Sequence, residues 1–324
     1  MTRIQKLLAA VFAAAALAAP AQAAYPDKPI TLVIPFAPGG FVHLVGLLLS
    51  ENMSKELGQP VVVMNRPGAN GTVAATSVAK AAPDGYTVML TTSSVLSVTP
   101  HLLTKLPYDP RGDFTAVGQV AQTSNFFVVN PASGIKSFRE LVEQARHSQI
   151  SYGSTGNGSL QHIAGEVLQR EVKAKVMHVP YKGTAPALVD LVGGQITFVL
   201  GDATALPYIQ AGTLRAIAVS PKPSAQIPGV PGLAEAAAAA GIPNYAIPTL
   251  WYGIIGPKGL PPDVLGKLNR ALADTLAKPE VREKLQAGGA IPAENTSSAF
   301  LADEIRNDFR RYGQMLKTID VTLN

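Results

Sequence analysis

Apolar positions in this chain fall in short, dense runs separated by glycine- and proline-rich stretches, and short runs alternate with long ones. Ile30 to Ile34 is brief and rich in β-branched residues, which predicts a buried strand, whereas Val42 to Met53 is long enough for a helix. Pro35-Phe36-Ala37-Pro38-Gly39-Gly40 joins them. The unit then recurs: Val61 to Met64, a Gly-rich loop from Asn65 to Gly71, and helical composition over Thr72 to Ala81. Asp84-Gly85 turns the chain into Tyr86 to Leu90, and Thr91-Thr92-Ser93-Ser94 predicts a third loop above the same sheet edge. Three such units predict an open parallel α/β sheet with a crevice at its strand C-terminal ends.

Thr115 to Val129 runs apolar for long enough to cross into a second body. There the alternation resumes, with a helix over Phe138 to Arg146 and a strand over Ile150 to Gly153 that opens onto Ser154 to Ser159. A helix from Leu160 to about Val172 follows, with Ser159 as its N-cap. Val176 to Val179 is a strand before Pro180 to Pro186, Ala187 to Val192 is helical, and Ile196 to Leu200 and Leu214 to Val219 are strands. Tyr245 to Ile255, which holds the only tryptophan, Trp251, leads away again. Val264, Leu265, Leu268, Leu272 and Leu276 share one helical face, and a last helix spans about Ser298 to Leu316. These helices are expected to return to the first body. Two crossings between two α/β lobes make a hinge, and facing loop sets beneath a hinge make a cleft that closes.

A length of 324 residues with 47% apolar and 15% charged content suits two globular domains. Arg3 and Lys6 before an apolar run from Leu7 to Ala19, then Ala21-Gln22-Ala23, read as a secretory signal peptide with the cut expected after Ala23. The run is shorter than the roughly 20 residues a membrane span needs. With no cysteine, disulfides, thiolate metal sites, a thiol nucleophile and an acylated N-terminal cysteine are all excluded. Losing Arg3 and Lys6 takes the formal charge from +5 to +3, a mild excess that suits an anionic small molecule and does not indicate nucleic acid.

Motifs for bond-breaking chemistry are missing. Tyr152-Gly153-Ser154-Thr155-Gly156 lacks the first glycine of a nucleophile elbow, and neither G-x-G-x-x-G nor a phosphate loop occurs. His162 and Glu166 stand at i, i+4 without a nearby third ligand, so no metal and no cofactor is expected. What the loops do supply is backbone N–H groups, hydroxyls and amides, at Gly39-Gly40, Asn70-Gly71, Ser93-Ser94, Ser154 to Ser159 and Gly183-Thr184. Such groups hold a carboxylate without altering it. His162 faces a ligand or packs, and His178 supports a cleft wall. A secreted hydrolase built from Ser154 or Ser159 with His162 and Asp202 is the rival reading, and a receptor that senses without transporting is a third.

The segments IPFAPGG, VVVMNRPGANGTVAA, APDGYTVML, LPYDPRGDF, SYGSTGNGSLQHIAGE, HVPYKGTAPALVDLVGGQI, AGTLRAIAVS and KPEVREKL, in this order, resemble the Bug family of extracytoplasmic solute receptors, the binding component of tripartite tricarboxylate transporters. The resemblance spans essentially the whole mature chain. It implies a non-enzymatic periplasmic protein with a type II periplasmic-binding-protein fold, two α/β lobes on a two-stranded hinge, closing on a di- or tricarboxylate, an acidic amino acid or an aromatic acid. Lobe 1 would comprise residues 24–125 and 250–324, and lobe 2 residues 126–249. The implied partners are a large and a small permease subunit, and a monomer suits the shuttle. The cleft lining it implies is Phe36, Ala37, Pro38, Gly39, Gly40, Phe41 and His43; Asn70 and Gly71; Ser93 and Ser94; Ser154, Thr155, Gly156, Ser159 and His162; Gly183 and Thr184; and Asp202. One stretch departs from the pattern: where the family places a small polar pair, then Asp, then Arg four residues on, this chain has Phe41, Val42, His43 and Leu47. Phe41 offers bulk toward a larger or aromatic acid, and His43 a pH response, or the change is structural only.

Overall fold

The computed structural model describes residues 25–317 except 40, 104, 157, 158, 182, 222, 225, 248 and 249, so the predicted signal peptide and Gly40 lie outside the described residues. Strands β1 (Ile30–Ile34), β2 (Val61–Asn65) and β3 (Thr87–Thr92) pair in parallel, with β1 between the other two. Helices α1 (Phe41–Leu57) and α2 (Thr72–Ala79) connect them. Leu32, Val33 and Ile34 are all buried, as expected of a parallel strand covered on both faces. Strands β4 (Phe114–Thr123), β10 (Trp251–Pro257) and β11 (Ala290–Pro292) extend the sheet antiparallel, giving the order β11-β4-β10-β3-β1-β2.

The second sheet has the order β7-β6-β8-β5-β9. Its strands are β5 (Asn125–Val129), β6 (Ile150–Ser154), β7 (Val176–Pro180), β8 (Phe198–Gly201) and β9 (Arg215–Ser220). β7, β6 and β8 run parallel, while β5 lies antiparallel to β8 and β9. Helices α4 (Phe138–His147), α5 (Leu160–Val172) and α6 (Thr184–Val192) belong to it. Ser159 caps α5 as the sequence predicts, its Oγ accepting from the His162 N–H at 3.2 Å.

β4 and β5 are one extended chain divided only at Ser124, so a single buried segment is a strand in both sheets. The crossing is tied on both sides: Thr123 N–H donates to Leu250 C=O at 2.8 Å and Ser124 N–H to Gly289 C=O at 3.3 Å.

One expectation is corrected. The third loop, Thr91 to Ser94, is not a loop: β3 runs straight into a π-helical turn, Ser94–Val98, and a short α3 (Thr99–Leu102). Val95 and Leu96 are buried with Leu301 and Ile305, and that burial outweighs the loop preference of four hydroxyl residues. The Tyr108 hydroxyl donates to Val95 C=O at 2.6 Å, satisfying a carbonyl of the wide turn. The last helix is α11 (Ser298–Leu316), which the sequence sends back to the first lobe. Its Leu301 and Ile305 do pack there, but Tyr312 is buried in the cluster built mainly from the second lobe, together with Val98 and Leu102. Its 19 residues reach about 28 Å, long enough to touch both cores.

α11 also holds the start of β10. Trp251 Nε1–H donates to Asp308 Oδ2 at 2.7 Å, and Arg311 Nη2 donates to Asp308 Oδ1 at 2.8 Å, with Asp308 5% exposed. Replacing Asp308 by Ala strands a buried indole N–H, and urea unfolding is expected to show a loss of about 1–3 kcal/mol; a change within experimental error would mean that this network contributes nothing.

Candidate functional site

Three of the loops that leave the C-terminal ends of parallel strands and enter helices carry most of the predicted lining. The first joins β1 to α1. Phe36 carbonyl accepts from Asn65 Nδ2 at 2.7 Å, which ties this loop to the end of β2, while Ala37, Pro38 and Gly39 are exposed. Gly39 has φ +90°, a turn conformation that suits glycine. Phe41 and His43 lie in the first turn of α1, both half-buried, and among the described residues His43 Nδ1 has no hydrogen-bond partner.

The other loops belong to the second lobe. After β6, Ser154 Oγ bonds to both the N–H and the C=O of Gly156, at 3.0 and 3.2 Å, closing a tight turn. Thr155 Oγ1 donates to Gln161 Oε1 at 3.0 Å, anchoring that turn to α5. After β7, Gly183 leads into α6, whose first residue, Thr184, donates to Asp202 Oδ2 at 3.0 Å. Asp202 Oδ1 accepts from Thr204 N–H at 3.0 Å and Thr204 Oγ1 at 2.6 Å. Asp202 is thereby a brace between α6 and the turn Ala203–Ala205.

Not every predicted residue offers its groups outward. Gly71 is buried against Val95 and Pro35, and its N–H donates to Gly68 C=O at 2.9 Å. Asn70, exposed in a left-handed conformation, donates to Thr99 Oγ1 at 2.7 Å. Ser93 is buried and Ser94 half-buried at the start of the π-helical turn. Beside them, Thr91 and Thr92 bury hydroxyls that have no partner among the described residues.

Behind Phe41, residues that the sequence did not single out pack within the first lobe. Phe41 lies against Tyr252, ring centroids 5.4 Å apart, and Thr123 Oγ1 donates to the Tyr252 hydroxyl at 2.7 Å. Burial raises the Tyr252 pKa, and the Asp202 carboxylate of the other lobe adds to the rise. Gln226 Nε2 donates across the lobes to Gln286 C=O at 2.8 Å.

Behind the Ser154 turn a column of rings runs into the second core. His162 stacks on His178 at 4.0 Å, His178 on Tyr152 at 5.0 Å, and Tyr152 on Phe198 at 5.6 Å. Ser154 Oγ and His178 Nε2 share a hydrogen bond of 2.5 Å. Burial, reinforced by the neighbouring His162, lowers His178 to about 4, and burial lowers His162 too, so His178 is neutral at pH 7. The hydrolase constellation does not assemble: Ser154 meets His178 rather than His162, the carboxylate beside His162 is Glu166 at 3.8 Å, and Asp202 serves threonines. Two hollows of about 420 and 310 Å³ border β9 and include none of the candidate residues. Among the described residues no group of three or more His, Asp or Glu could hold a metal, and no helix is long and apolar enough to cross a membrane.

Comparison with known proteins agrees with this architecture. Residues 46–321 match the family model described as "Tripartite tricarboxylate transporter family receptor". Protein BugT of Bordetella pertussis is 36% identical over 315 residues, covering 94% of this chain and 95% of BugT. Among solved structures, R. palustris Rpa4515 with adipate is 29% identical with a TM-score of 0.78, covering 92% of this chain and 99% of that one. MatC from Rhodopseudomonas palustris with bound malate is 30% identical with a TM-score of 0.73, covering 90% and 99%. The fold is the two-lobed periplasmic-binding-protein fold.

The lowered pKa of His178 gives a pH dependence. Between the ordinary 6.5 and about 4 the unfolded chain binds a proton that the folded protein refuses, so stability falls as pH drops through that window. His178→Gln is expected to flatten the decline in unfolding free energy between pH 7 and pH 5; an unchanged slope would remove His178 from the account.

Proposed function

Because the chain belongs to the Bug family of tripartite tricarboxylate transporter receptors, which are periplasmic solute-binding proteins and not enzymes, we propose that it captures a small carboxylate between its lobes and delivers it to the large and small permease subunits of such a transporter. The observation that carries this reading is one arrangement repeated at three places: α1, α5 and α6 each begin just beyond the C-terminal end of a parallel strand, β1, β6 and β7. Helix N-termini present N–H groups that their own helix cannot satisfy, and carboxylate oxygens are their natural acceptors. No Lys or Arg stands among the proposed lining residues, so N–H and hydroxyl donors replace ion pairs.

In this reading the acid lies between the β1–α1 loop with Ser94 on one side, and the Ser154–Ser159 turn, His162, Gly183 and Thr184 on the other. Asp202 holds the Thr184 end in place and does not meet the acid's charge. Lobe 1 is residues 24–125 and 250–324, and lobe 2 residues 126–249. The protein acts as a monomer after removal of residues 1–23. The neighbours solved with adipate and malate support a dicarboxylate as the first class to examine.

A thermal-shift panel of adipate, malate, citrate and benzoate on the mature protein tests this. An acid present at a hundred times its Kd is expected to stabilise the fold by about 2.7 kcal/mol, with no hydrolysis of p-nitrophenyl acetate. No stabilisation by any carboxylate would overturn the proposal.

A further inference from the structure

Ser154, the last residue of β6, is 1% exposed and has three partners for one hydroxyl. The Gly156 N–H reaches its Oγ at 3.0 Å, the Gly156 C=O stands at 3.2 Å, and His178 Nε2, on the neighbouring strand β7, stands at 2.5 Å. A hydroxyl has one proton to give and two lone pairs to receive with. The Gly156 N–H can only donate and the Gly156 carbonyl can only accept, so the imidazole nitrogen decides the arrangement.

If Nε2 carries the ring proton, it donates to Ser154 Oγ, the serine proton goes to the Gly156 carbonyl, and all three partners are satisfied. If Nε2 is bare, it takes the serine proton, and the Gly156 carbonyl loses that donor. An unmade bond is costly where the hydroxyl is shut off from water, which favours the first arrangement. Burial and the neighbouring His162 keep the ring neutral at pH 7, so it has a single N–H to place. His162 stacks on the ring at 4.0 Å with 9° between the planes, and Tyr152 at 5.0 Å, and these contacts fix its plane. The Gly156 carbonyl also accepts from the Ser159 N–H at 3.2 Å, and Ser159 is the cap of α5. What His178 holds at Ser154 is thereby passed on to the start of the helix.

We propose that His178 is a positioning residue for acid binding: it donates from Nε2 to Ser154 Oγ and so sets the turn between β6 and α5 that receives the carboxylate. The Ser154 hydroxyl, filled by its own turn and by this imidazole, is then not a ligand contact. The inference rests on the carboxylate-capture reading, and it takes one hydroxyl out of the lining.

Calorimetric titration of adipate and malate into the mature wild type, His178→Phe, His178→Gln, Ser154→Ala and the His178→Phe/Ser154→Ala double variant, with nitrogen-15 NMR of the wild-type histidines, tests it. Phenylalanine keeps a stacked ring without the N–H, whereas glutamine gives up the ring and keeps an N–H of similar reach. His178→Phe is expected to weaken both acids by about tenfold, and His178→Gln by less than about threefold. Ser154→Ala deletes the same bond, so the double variant should differ from either single one by less than about twofold. The wild-type spectrum should show His178 as the Nε2–H tautomer at pH 7. An Nδ1–H tautomer, wild-type affinity in His178→Phe, an equal loss in His178→Gln, or additive losses in the double variant overturns the proposal and leaves carboxylate capture intact. Should His178→Phe fail to fold, the wild-type tautomer alone decides. If the wild type binds neither acid, dicarboxylate capture falls, and this inference with it.

Discussion

The architecture depends on one stretch of backbone that belongs to two sheets at once. Phe114 to Val129 leaves the first sheet at Thr123 and enters the second at Asn125, with Ser124 alone between. Most of it is buried, so neither lobe can shed the segment without exposing a core strand. The cross-ties at Thr123 and Ser124 restrict the change of direction to a few dihedrals near that residue. In the proposed capture, the lobes would close by bending at this point.

The candidate site takes its character from this constraint. In the proposed capture, loops at strand ends on the two bodies face each other across the acid, and short polar groups suffice to hold an anion. Several of those groups are pre-set: Ser154 closes its own turn, Thr155 is anchored to α5, and Asp202 braces Thr184. Holding these donors in place before the ligand arrives reduces the ordering cost of binding. The ring column beneath Ser154 stiffens the wall further, and its neutral imidazoles keep cationic charge out of it at pH 7.

Much of this was legible in the sequence, for identifiable reasons. The β1–α1 unit and the α5 helix read correctly because apolar runs ended on strong punctuation, Pro-Gly-Gly in one case and a serine cap in the other. The stretch from Thr91 to Ser94 read wrongly because four hydroxyl residues look like a loop, while the burial of Val95 and Leu96 against a helix two hundred residues away is tertiary information. For the same reason the span of α11 was legible but its two partners were not. His178 beside Ser154 could not be found from spacing, since the two lie on neighbouring strands.

Trp251 is the sole tryptophan, 1% exposed, at the first position of β10, one residue beyond the carbonyl that receives the Thr123 N–H. Its indole is held by a helix that touches both cores. The chain thereby carries its own fluorophore where the two sheets join, with no other indole to dilute the signal, so emission from the unlabelled protein reports on the proposed bend.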